Sequence, residues 1–137
     1  MKRVALALVV LCLAGCGAQT TSSSSLDKFK DPNEKAVAQK VEDLESDGKR
    51  GKVDDICSDI LAQSLVSQLN AAGTDCATEI QKAIDDANEF DLDTQKVTIS
   101  GNTATAEVKQ GDNGPTETME FTREKNDWRA TALSGGS

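Results

Sequence analysis

Histidine and tyrosine are both missing from this 137-residue chain, and its aromatic side chains are only Phe29, Phe90, Phe121 and Trp128. Without histidine no serine triad can be assembled, and general acid–base work is left to carboxylates, lysines and hydroxyls. Basic residues are also in deficit, with 15 Lys and Arg against 23 Asp and Glu and a net charge of -8 at pH 7. Nucleic-acid binding needs a basic face that releases counterions, and docking of a folded surface on anionic lipid needs the same, so both are disfavoured. The acidic balance describes a soluble, self-repelling surface or an acidic docking face. A long apolar run is absent as well. The leading stretch from Val4 to Leu13 falls short of the about 20 residues that a lasting transmembrane helix needs.

That short run follows Met1-Lys2-Arg3, ends in Leu13-Ala14-Gly15-Cys16, and gives way to the polar stretch Gln19-Thr20-Thr21-Ser22-Ser23-Ser24-Ser25. A basic start, a brief apolar core and small residues before a cut make a cleaved export signal the expectation. The four residues Leu13, Ala14, Gly15 and Cys16 resemble the lipobox of bacterial lipoproteins. The resemblance implies a diacylglycerol on the Cys16 thiol, cleavage after Gly15 and acylation of the new amino terminus. The expected location is then a bacterial cell membrane, lipid-anchored on the extracytoplasmic side; an ordinary secretory signal cut nearby is the alternative. One acyl chain binds a bilayer only marginally, whereas two or three hold. Loss of Lys2 and Arg3 with residues 1–15 takes the net charge from -8 to -10.

On that reading Cys12 leaves with the signal, Cys16 is consumed by lipid, and Cys57 and Cys76 remain. In an oxidising envelope these two are expected to pair and to stabilise the domain by about 3 kcal/mol. Redox catalysis usually wants two thiols in Cys-x-x-Cys, and these lie much further apart. Zinc is poorly served by two thiols and no histidine, and no cofactor is expected.

Three segments follow: a signal over 1–15, a lipidated cysteine with a flexible Ser/Thr-rich linker over 16–30, and one domain over 31–137. The domain opens on Asp31-Pro32-Asn33-Glu34, a capping carboxylate with proline at the first helical position. Val37, Val41 and Leu44 make one apolar stripe, which Gly48 and Gly51 should end. A second helical region starts near Val53, with Ile56 and Ile60 on one face, and continues or breaks into Leu61, Leu65, Val66 and Leu69. A third begins at Thr74 or Asp75, with Ile80, Ala83, Ile84 and Ala87 inward. After Asp93 the period becomes alternating. Val97 and Ile99, the turn Gly101-Asn102, and Ala104, Ala106 and Val108 predict a hairpin. Met119 and Phe121 mark a third strand; Trp128 and Ala130 mark a fourth.

About three helices followed by a four-stranded antiparallel meander predict an α+β domain with helical stripes covering one face of a curved sheet. That order, with Cys57 and Cys76 in the helical half, the stretch from Val97 to Val108 and the ending from Met119 to Arg129, resembles the nuclear transport factor 2-like (cystatin-like) superfamily. The resemblance covers residues 31–133 and implies a conical cavity between helices and sheet. Its members include isomerases, dehydratases, cyclases and non-catalytic binding or assembly modules, so it does not choose a function.

Phe90, Phe121 and Trp128 are expected in the core; the alternative is that Phe121 and Trp128, with Ala104 and Ala106, line such a cavity, since the alanines either leave room for a ligand or let a helix approach. Asp55 and Asp59, four apart, read either as a carboxylate pair or, as is expected, as a solvated polar face near a helix start, where the dipole favours acids. Asp85-Asp86 and Asp91-x-Asp93 invite a calcium reading but lack the glycine and distal glutamate of an EF-hand. The expected function is a non-enzymatic binding or accessory module, held to the membrane through lipid on Cys16 and meeting an envelope protein or a small apolar ligand. The alternatives are an isomerase- or dehydratase-like enzyme using carboxylates in the cone, or a structural subunit that forms a homodimer through an open sheet face.

Overall fold

Asp31 caps the first helix as its position before proline predicts. Its Oδ1 accepts from the backbone N–H of Asn33 at 2.7 Å and of Glu34 at 3.3 Å, while Pro32 fills the first helical position, where a missing N–H costs nothing. In the computed structural model, which describes residues 25–87 and 90–132, this helix (α1) spans Pro32–Lys49. Val37, Ala38, Val41 and Leu44 are buried along it. Gly48 does not end the helix; it is buried in the last turn, because the Phe90 ring lies where a side chain would be, with Cε1 2.2 Å from an ideal Cβ position. The chain leaves α1 through Gly51 instead, at φ +66°.

The second helical region breaks. A short helix α2, Val53–Asp55, winds into a wider π-helical turn, Ile56–Ile60, and the chain then extends at Leu61 and Ala62. The reason is tertiary: the Ala62 N–H donates to the Ala130 carbonyl at 2.8 Å and Leu61 bridges Ala130 in parallel, so the sheet edge claims two residues that a helix would have used. Helix α3, Gln63–Ala71, restarts beyond, and α4, Cys76–Asp86, begins on the Asp75 cap, which accepts from the Thr78 N–H at 3.2 Å. Among the described residues the α-helices therefore number four, not three. In α4 the residues turned to the core recur at a spacing of four, Cys76 and Ile80 buried and Ile84 half-buried, which leaves Ala83 exposed on the flank.

Part of the expected linker is folded. Ser25–Lys28 form a 3-10 turn, Phe29 is only 7% exposed within the core, and Lys28 pairs with Asp93 at 3.3 Å. The folded part thus starts before Asp31, because Phe29 has apolar surface to hide; linker residues 16–24 lie outside the described residues.

Strands β1 (Leu92–Ser100), β2 (Thr103–Gln110), β3 (Thr116–Glu124) and β4 (Asp127–Ala132) form an antiparallel meander in chain order. Gly101 at φ +61° takes the first central position of the β1–β2 hairpin; Lys125 and Asn126, at φ 49° and 67°, form the β3–β4 turn. The register aligns Val97, Ala106 and Met119 in one row and Ile99, Ala104, Phe121 and Ala130 in the next. A shift between Thr94 and Lys96 lets both Thr94 and Val97 lie in the interior. Helix α1 packs against β1, β2 and β4. The opposite sheet face carries Lys96, Thr98, Thr105, Glu107, Thr118 and Glu120, all exposed and none apolar.

Candidate functional site

Ala104, Ala106, Phe121 and Trp128 come together on the sheet face that α1 covers, each between 0% and 3% exposed and all within one core cluster with Val37, Val41 and Ile56. The alanines therefore serve close packing: α1 approaches where their side chains are short. At the end of this face the Arg123 guanidinium lies 4.6 Å from the Trp128 ring and donates to the Asn33 side chain, while its Nε is buried and has no hydrogen-bond partner among the described residues. A cation over the face of tryptophan is attractive, and its low-dielectric surroundings strengthen that attraction.

Cys57 and Cys76 are joined in a disulfide. The bridge ties the π-helical turn to the first residue of α4. Two cations reinforce the turn at its open end: Arg129 donates to the Ser58 carbonyl, and Lys40 donates to the Asp59 carbonyl at 3.1 Å. Lys40 also pairs with Asp127 at 3.0 Å, and Arg129 Nε reaches the same carboxylate at 3.4 Å. Positive charge at the carbonyl end of a helical segment is favourable. Cys16 and the lipobox lie outside the described residues.

The other carboxylates are scattered. Asp55 pairs with Lys52 at 3.3 Å, Asp59 contributes its carbonyl, and Asp85 accepts from the Gln81 side chain at 2.8 Å. Asp91 and Asp93 do open onto a shared feature, a cleft of about 250 Å³ lined by Glu45, Lys109, Gly111 and Asp112 besides. The lining is built from backbone outward: the Gly111 N–H donates to the Asp91 carbonyl at 2.8 Å, and the Leu92 N–H donates to Glu45 Oε2 at 3.1 Å. Lys49 donates to both Asp91 and Glu45, and these hydrogen bonds, Asp91 first, hold its ammonium above the ordinary lysine pKa of 10.5. Among the described residues no group of three or more His, Cys, Asp or Glu can hold a metal ion.

Comparison with known proteins finds no matching family, no matching curated protein and no matching solved structure. Among the described residues no helix is long and apolar enough to cross a membrane. The sequence singled out Asp91 and Asp93 but not Glu45, Lys109 or Asp112, which complete the cleft. Glu45 comes from the end of α1 and Lys109 and Asp112 from the end of β2 and its loop, so no local spacing connects them. Only the packing of α1 on β1 does.

Proposed function

We propose that the chain is a bacterial lipoprotein whose domain, tethered through lipid on Cys16 outside the cytoplasm, acts without catalysis as a binding or accessory module for an envelope protein. The observation that carries this reading is the order Lys2-Arg3, apolar Val4 to Leu13, then Leu13-Ala14-Gly15-Cys16. The Cys57–Cys76 disulfide supports it, because such bonds persist in oxidising compartments. A protein partner is favoured over a small apolar ligand because Ala104, Ala106, Phe121 and Trp128 spend their surface on one another and on α1. An apolar dimer face finds no support in the threonines and charges of the open sheet side. The fold is proposed to be nuclear transport factor 2-like, on the strength of helices that precede an antiparallel meander.

Metabolic labelling with a clickable fatty acid in a bacterial host tests the anchor. The wild-type chain should take up label and sediment with membranes, while Cys16→Ser should lose both. Equal labelling of that variant, or an unlabelled wild type that stays soluble with its initiator methionine, overturns the proposal.

A further inference from the structure

The two halves of the disulfide are not equivalent, and this assigns a modification site independently of any anchor. Cys57 sits half-buried in the π-helical turn, whereas Cys76 is 4% exposed in the core at the first position of α4. A thiolate must reach the sulfur it attacks, and the departing sulfur leaves as a thiolate, more readily where its charge is stabilised. Exposure selects Cys57 for the first requirement. Cys76 departs because burial closes it to attack; its core position and the carboxylates of Asp75 and Glu79 give its thiolate no help, so access alone sets the direction.

We propose that thiol–disulfide exchange at this bridge runs in one direction, with an incoming thiol adding to Cys57 and Cys76 released. An incoming thiolate bonds to Cys57 Sγ, the Sγ–Sγ bond breaks, and its electron pair leaves on Cys76. A second thiolate of the same reagent then attacks the mixed disulfide, giving the reagent's disulfide and a Cys57 thiolate; both cysteines pick up protons from water. The two electrons come from the reagent. Charge beside the bridge is of both signs: Asp54 and Asp59 are exposed within three residues of Cys57, while Lys40 and Arg129 donate to the carbonyls of Asp59 and Ser58. The reagent class that the site takes is thus a small thiol able to reach half-buried Cys57, with no preference of charge.

The test uses the full chain with Cys12→Ser and Cys16→Ser, so that Cys57 and Cys76 are its sole cysteines. It is exposed briefly to cysteamine, quenched in acid, alkylated with a maleimide and mapped by mass spectrometry. The expected early product carries cysteamine on Cys57 and maleimide on Cys76, in about tenfold excess over the reverse pattern. In concentrated urea the bias should vanish, which ties it to burial. Equal adducts in the native protein, an excess of cysteamine on Cys76, or a bias that survives urea would overturn the inference.

Discussion

Opening the Cys57–Cys76 bridge should weaken the domain by an amount that the length of the closed loop sets. The cysteines are 19 positions apart in sequence. In the chain-entropy treatment a loop of that length restricts the unfolded chain by about 11 cal/mol/K, or about 3 kcal/mol at 25 °C. For a domain of this size, with a urea dependence of about 1.5 kcal/mol/M, the unfolding midpoint should fall by about 2 M on reduction. The loss should also be distributed unevenly. The loop first carries Ile60, Leu61 and Ala62, which are buried and held to the sheet at Ala130, and then α3, none of whose residues is buried, before it closes at the start of α4, whose buried residues are Cys76 and Ile80. The sheet and α1 hold most of the core. Reduced protein should therefore open over α3 and α4 before the sheet unfolds, in a sub-global step. Urea titrations of oxidised and reduced protein, followed both by Trp128 fluorescence and by amide exchange, measure both effects. A midpoint shift under about 0.5 M, or exchange that accelerates equally in β2 and α3, would refute the reasoning.

Gly48→Ala should cost stability although alanine is the better helix former by about 1 kcal/mol, because its Cβ would lie 2.2 Å from Phe90 Cε1 and overpacking costs about 1–3 kcal/mol. In a Phe90→Ala background the same change should stabilise, and thermal melts of the four proteins check the sign. Thr94→Val should raise stability by about 1–2 kcal/mol, since Thr94 is 0% exposed and its Oγ1 has no hydrogen-bond partner among the described residues; a lower urea midpoint would contradict this. Lys49, whose pKa is raised, adds stability below its ordinary pKa of 10.5 that is lost as pH rises through the folded value. Asp91→Asn should bring the Lys49 titration, followed by NMR, back down toward that ordinary value, and an unchanged curve would dismiss the contact.

Some elements were legible because their cause is local. The Asp31-Pro32 helix start, the stripe Val37-Val41-Leu44 and the alternation through Ala104, Ala106 and Val108 each depend on residues within one turn or one strand, and all three stand in the structure. Whether the second helical region continues or breaks at Leu61 stayed open in the sequence, because what decides it, the Ala130 carbonyl, arrives from the far end of the chain. Gly48 misled for the same reason. A glycine near a helix end reads as a stop until one knows that Phe90 occupies the space beside it. The cleft was half visible, with Asp91 and Asp93 one residue apart on either side of Leu92 but Glu45 brought in by α1.

Residue types alone determined that no histidine or tyrosine chemistry is available and that the folded part is helices followed by hairpins. Composition and short-range periodicity decide such things because they depend on which side chains exist and how they repeat along one element. Tertiary structure decided that Ala104 and Ala106 admit a helix, that Cys57 meets Cys76 from a π-helical turn, and that Phe29 belongs to the core. Those outcomes depend on surfaces meeting across long stretches of chain, where burial and the pairing of backbone groups outweigh local preference.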